Sequence, residues 1–257
     1  MKKILPYLPD RPAKPRTYGI TMVMDKGLSV SEAENFMAVG SEYTDFVKLG
    51  FGTFLITPGC EKKIKIYKKA GVIPYLGGTL FEAFIIRNMF DDFIRLIKEN
   101  EINLVEISDG SYNLEYSKKL DYINKLSRFV TVISEVGSKK KEVIYTPEQW
   151  VSMMKSELDA GSVKVIAEAR ESGTIGIYND DGSVNKSVVD AISTSVKLEN
   201  VIWEAPMKSQ QTWFIKHFGQ NVNLGNIPPN EIIPLETLRL GLRGDTFSQF
   251  LPENLIK

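Results

Sequence analysis

Four consecutive apolar stretches each carry a carboxylate near their C-terminal end: Leu104-Val-Glu106-Ile-Ser-Asp109, Thr131-Val-Ile-Ser-Glu135, Val163-Lys-Val-Ile-Ala-Glu168-Ala-Arg170 and Val201-Ile-Trp-Glu204-Ala-Pro206. An apolar strand of a parallel sheet is buried on both faces, and an acid there is costly unless it is paired or bound to a cation. Side chains alternate along a strand, so one set faces the centre of a barrel and the other its helices. That parity turns Glu106, Ser108, Glu135, Ile166, Glu168, Arg170, Ile202 and Glu204 inward. Lys48 joins them from an earlier strand, Thr21, Val23 and Asp25 from the first, and Asn223 from the last. Oxygen donors in such a ring suit a hard divalent cation, Mg2+ first among them. The competing interpretation is a set of closed ion pairs, such as Glu168 with Lys48, that neutralise one another without a ligand.

Cations in the same ring point to an anionic substrate. Lys48 and Arg170 stand among the carboxylates, and Gly137-Ser138-Lys139-Lys140-Lys141 follows the stretch that carries Glu135. Asn223-Leu-Gly225-Asn226 ends the last expected strand, at the place where barrels often bind phosphate on main-chain amides. Lys48, Arg170, Asn223, Gly225 and Asn226 are therefore the expected substrate contacts. Arg239 and Arg243, four apart on the last helix, either reach phosphate or pair with neighbouring acids. Residues 171–182 bear glycines and form either a lid or a surface hairpin. The only histidine, His217, falls near a helix C-terminus and suits packing better than base catalysis.

The elements that must position these groups are legible in the hydrophobic pattern. Prolines at 6, 9, 12 and 15 set an extended segment over residues 1–17. Beyond it, strands are expected at 18–25, 44–52, 72–78, 104–109, 131–136, 163–170, 201–205 and 221–226. Helix signals separate them: Ser29-x-x-Glu32 and Thr79-x-x-Glu82 as capping boxes, Pro147 at a first helical position after Thr146, and stops at Gly71, Gly161 and Gly219. The expected helices are 29–43, 61–70, 79–101, 115–129, 146–161, 183–196, 208–218 and 232–243. Eight βα units without a compositional break describe a single (β/α)8 TIM barrel over 1–257. An open doubly wound sheet is the alternative, but the first turn, Met24-Asp25-Lys26-Gly27, has no glycine-rich phosphate motif.

Composition narrows the function classes. Thirty-two basic residues balance 32 acidic ones, so no overall field draws in nucleic acid or an anionic membrane. One cysteine, Cys60, forms neither an internal disulfide nor a cysteine zinc cage, and a cytoplasmic setting is expected. No signal-peptide core or bilayer-length apolar run is visible, and a barrel of this size is expected to associate with itself.

The ordered motifs Val47-Lys-Leu-Gly-Phe-Gly-Thr53, Gly77-Gly-Thr-Leu-Phe-Glu82, Val105-Glu-Ile-Ser-Asp-Gly-Ser111, Ser134-Glu-Val-Gly137, Glu168-Ala-Arg-Glu-Ser-Gly173, Trp203-Glu-Ala-Pro206, Val222-Asn-Leu-Gly-Asn-Ile227 and Leu238-Arg-Leu-Gly-Leu-Arg-Gly-Asp-Thr246 resemble the phosphosulfolactate synthase family. The resemblance implies a Mg2+-dependent lyase that adds sulfite to phosphoenolpyruvate, giving (2R)-phospho-3-sulfolactate for coenzyme M synthesis. It implies a loop lysine as general acid. Ser138 stands where that lysine is expected, so Lys139 and Lys140 are the candidates, with Lys141 third and Lys48 a further catalytic cation. Glu106, Glu135 and Glu168, on consecutive strands, are the expected metal ligands, with Asp25 and Glu204 as alternatives or as partners that orient Lys48 and Arg170. Two rival functions remain open: a Schiff-base aldolase using Lys48 or Lys164, and a non-catalytic or regulatory barrel that binds a phosphorylated metabolite.

Overall fold

A computed structural model describes residues 5–138, 142–170 and 172–256. Eight parallel strands close in sequence order into a barrel: β1 (Thr21–Asp25), β2 (Phe46–Leu49), β3 (Ile73–Leu76), β4 (Leu104–Ile107), β5 (Thr131–Val136), β6 (Lys164–Ala167), β7 (Val201–Glu204) and β8 (Leu224–Ile227). The helices that return the chain are α1 (Val30–Gly40), α2 (Cys60–Lys69), α3 (Gly78–Ile85), α4 (Phe90–Glu99), α5 (Tyr116–Ser127), α6 (Pro147–Asp159), α7 (Lys186–Ser195), α8 (Lys208–Phe218) and α9 (Ile232–Arg239). The expected (β/α)8 barrel is what forms. No helix among the described residues is long and apolar enough to cross a membrane.

Two of the three expected helix starts hold as read. Ser29 and Glu32 exchange capping hydrogen bonds at α1, and Thr146 and Gln149 do so at α6 with Pro147 in its first turn. Thr79 and Glu82 do not. The third helix starts on Gly77, and Glu82 instead accepts from Ser108 Oγ and from the amides of Ser111 and Tyr112, tying α3 to the loop after β4. The single helix expected over 79–101 is two, α3 and α4, separated by Asn88 in the left-handed region at φ 58°.

Two apolar layers hold the barrel. The larger lies between strands and helices, and includes Val23, Val47, Leu49, Leu76, Val105, Trp203 and Leu224. The smaller fills the lumen with Met22, Tyr75, Leu104, Ile133, Ile166 and Ile202, with Phe46 against it. This plug forms a floor beneath the C-terminal strand ends, so polar groups on the next inward positions face one shared cavity. The other end of the barrel is closed by the extended N-terminal segment, where Arg11 donates to Glu236 at 3.0 Å and to Asn221 at 2.7 Å.

Candidate active site

One strand position above the plug, Lys48 of β2 reaches across the lumen. Its ammonium lies 2.9 Å from Glu106 Oε1, 3.2 Å from Glu135 Oε2 and 3.5 Å from Glu204 Oε1. Burial alone would discharge this lysine, but Glu106, Glu135 and Glu204 outweigh it and hold the pKa well above its ordinary value. Lys48 is thus a fixed positive charge. A charged amine is not a nucleophile, which argues against Schiff-base chemistry there. Lys164, the other aldolase candidate, donates to Thr17 O at 2.8 Å and Glu199 O at 2.6 Å, at the closed end of the barrel.

The carboxylates fall into two groups. Glu106 has both oxygens engaged: Tyr75 OH donates to one at 3.0 Å, and the Gly78 amide donates to the other at 2.7 Å, beside the Lys48 ammonium. Gly78 must be glycine for this approach, because a Cβ there would come within 2.9 Å of Glu106 Oε1 and meet Ser108 as well. Glu135, Glu168 and Glu204 form the second group, each offering an oxygen within 4.8 Å of the others. Glu204 also accepts from the Ala169 amide at 2.8 Å. Burial pushes its pKa up to about 8, Lys48 opposing and Glu135 adding to the rise. Three oxygen donors without nitrogen or sulfur match the preference of a hard cation such as Mg2+. Glu204, expected as an alternative ligand, stands in this group with Glu135 and Glu168, and Glu106 stands in the other.

A cavity of about 450 Å³ opens over this group. Besides Lys48 and the three carboxylates it is lined by Gly77 and Thr79 at the start of α3, by Arg170 and Ser172 after β6, by Met24, Phe51 and Ala169, and by Asn226. Arg170 is exposed at the mouth, where a substrate anion would meet it.

Other expected positions lie elsewhere. The first strand has the opposite parity to the one expected: Met22 and Met24 face the lumen, Val23 packs against the helices and Thr21 lies under Arg239. Asp25 therefore points outward. Its carboxylate accepts from Lys63 Nζ at 2.6 Å, from Tyr67 OH at 2.8 Å, and from the amides of Gly27 and Leu28. It is a structural anchor for α2, away from the cluster. Asn223 precedes β8 and sits at the closed end, accepting from the Ile20 amide at 3.0 Å and donating to Val201 O at 3.0 Å. Gly225 belongs to the lumen floor, where a side chain would strike Met22 and Ile202. Only Asn226 of that trio lines the cavity.

Arg239 is buried at the closed end and donates to Gln220 O and Val222 O, so it cannot reach phosphate at the mouth. Asp109 accepts from Lys119 at 2.8 Å, and His217 stacks on Trp213 with centroids 4.5 Å apart. Lys139, Lys140 and Lys141 lie outside the described residues. Tyr75, Thr79 and Phe51 were not singled out from the residues. Thr79 and Phe51 lie in glycine-bearing motifs after strands, which is the available signal; Tyr75 reads as one more core aromatic.

A profile of the (2R)-phospho-3-sulfolactate synthase family matches residues 9–245. The chain belongs to this family. It is 39% identical over 247 residues to the phosphosulfolactate synthase of Methanothermobacter thermautotrophicus, covering 94% of this chain and 96% of the relative. It is 41% identical over 243 residues to that of Bacillus subtilis, covering 93% and 96%. Among solved structures, the YdjI aldolase of Escherichia coli K12 superposes with a TM-score of 0.56 at 13% identity, over 83% of this chain and 76% of that one. That likeness shows the barrel and nothing of the chemistry. Membership in the family makes this a lyase-type enzyme that forms phosphosulfolactate.

Proposed function

We propose that the cavity binds phosphoenolpyruvate and sulfite and joins them through a carbon–sulfur bond, with Mg2+ held by Glu135, Glu168 and Glu204. The observation that carries this reading is the meeting of three buried carboxylates within 4.8 Å beside a permanently charged lysine, at the floor of a substrate-sized cavity. Mg2+ would supply positive charge opposite the substrate carboxylate, on which negative charge builds as the bond forms.

The chain's own groups do the rest. Sulfite is a nucleophile without activation, consistent with a site that needs no Ser, Cys or His nucleophile. Its sulfur lone pair forms the bond to C3, the C2–C3 π pair moves toward C2 and the carboxylate, and C2 takes a proton while the phosphate ester stays intact. Lys48 faces the developing negative charge and is held in place by Glu106. Arg170 at the mouth offsets repulsion between the two anions, which at ~5 Å and an effective dielectric near ~20 is roughly 3 kcal/mol per charge pair. Lys139 and Lys140 are the candidates for proton delivery to C2. A cytoplasmic location belongs to the same reading, supported by the buried free thiol of Cys60.

Incubation of the purified protein with phosphoenolpyruvate, sulfite and Mg2+ should yield a sulfonate of the summed mass by mass spectrometry, and EDTA should stop its formation. No product under either condition overturns the reading. Product formed equally well in EDTA removes the metal from it.

A further inference from the structure

Asn226 departs from its neighbours in three ways. Its backbone is left-handed at φ 55°, the residue is only 8% exposed, and Oδ1 has no hydrogen-bond partner among the described residues. A buried acceptor left without a donor is destabilising, so its retention calls for a reason. The local strand geometry supplies part of one. The pairing of β1 with β8 shifts register between Thr21 and Val23, and the Asn226 amide approaches Met22 Sδ at 3.3 Å. Such irregularities re-aim a side chain at the end of a strand. Here the side chain lines the cavity over the carboxylates.

The orientation of the amide follows from its neighbour. Asn226 Nδ2 lies 3.4 Å from Ala169 O. That carbonyl can only accept, so the NH2 end faces it and Oδ1 faces away. The Ala169 amide in turn donates to Glu204 Oε2, so Asn226 and Glu204 flank the same residue. An oxygen acceptor presented here repels phosphate or sulfite oxygens. It attracts a cation or a donor water.

We propose that Asn226 Oδ1 is a fourth oxygen of the centre formed by Glu135, Glu168 and Glu204, contacting the divalent ion directly or through one of its waters. This acceptor role on the metal side differs from the substrate contact expected of the residue from its sequence. A neutral fourth oxygen completes coordination without adding negative charge to a crowded ring, which suits an ion that keeps several waters. The proposal rests on the metal centre assigned above.

The test is Mn2+ binding to the full-length protein without substrate, read by electron paramagnetic resonance and by calorimetry. Wild type should bind one ion, and Asn226→Ala should bind it 10- to 100-fold more weakly, the range seen when a supporting metal contact is lost. Asn226→Asp keeps both the volume and an oxygen at this position, and should retain affinity within about threefold or exceed wild type. Circular dichroism checks that the variants fold. If Asn226→Ala does not fold, Asn226→Leu, with similar volume and no oxygen, takes its place with the same expected loss. Equal affinity in wild type and the oxygen-free variant overturns the role of Asn226. No binding by wild type overturns the metal centre itself, a separate and distinguishable failure.

Discussion

The two ends of the barrel both bury charge, and they handle it in opposite ways. At the closed end each cation named here has its own oxygen partners: Arg239 main-chain oxygens at 2.6 and 2.8 Å, with its Nε left without a partner among the described residues, Arg16 the carboxylate of Asp45 at 3.2 Å, Arg11 that of Glu236 at 3.0 Å and Lys14 the Thr44 O at 2.6 Å. At the open end, Glu106, Glu135 and Glu204 share one ammonium, with Glu168 beside them, and the acid at β7 is pushed up to about 8. Closed pairing locks a fold together; crowded like charge destabilises it and leaves room for a cation. Substitutions should therefore separate the two ends, costing stability at one and function at the other.

The sharpest separation should come from Lys48→Met. Removing the shared ammonium takes away the charge opposite the reacting carboxylate, and kcat/KM should fall by about a thousandfold. Steady-state kinetics check this, and activity within tenfold of wild type would remove Lys48 from the chemistry. At the closed end, Arg239→Met leaves buried carbonyls without donors and should cost about 3 kcal/mol in denaturant unfolding. Its kcat, measured on the folded protein, should stay within about twofold; a large loss would blur the distinction between the ends.

Arg170→Lys tests the mouth more gently. The charge remains but the forked donor is lost, so KM for phosphoenolpyruvate should rise about tenfold with little change in kcat. The smallest effect is on stability against pH in EDTA. The Glu204 carboxyl keeps its proton to about 8 when folded, against an ordinary value of 4.5. Between those values the folded state binds more protons, so this group's stabilisation is complete below 4.5 and disappears as pH rises through 8. The melting temperature of Glu204→Gln should fall less steeply than that of wild type from pH 5 to 8, and parallel curves would contradict the shift.

Much of this was legible in the sequence, and the misreadings have physical causes. Alternation placed Lys48, Glu106, Glu135, Glu168 and Glu204 at the lumen because each stands two residues beyond an inward apolar side chain, Phe46, Leu104, Ile133, Ile166 and Ile202 in turn. On β1 both faces are apolar, and the charge of Asp25 was taken to mark the inward side. The signal against that lay on α2: Lys63 and Tyr67, one turn apart, share its buried face and supply the partners. Asn223 was misplaced by where β8 begins. Its strand starts at Leu224 rather than 221, which moves Asn223 from the mouth to the closed end. The grouping of Glu204, rather than Glu106, with Glu135 and Glu168 was out of reach of any sequence pattern. It depends on a hydroxyl and an amide, from Tyr75 and Gly78, converging on one carboxylate from a neighbouring strand and helix.

That grouping gives the most direct test of the proposed centre: the Mg2+ dependence of sulfite-driven phosphoenolpyruvate consumption in Glu204→Gln and Glu106→Gln. Glu204→Gln is expected to raise the half-saturating Mg2+ concentration at least tenfold, whereas Glu106→Gln should lower kcat and leave that concentration within about twofold of wild type. The reverse pattern, with metal demand following Glu106 and indifferent to Glu204, would contradict a divalent ion held by Glu135, Glu168 and Glu204.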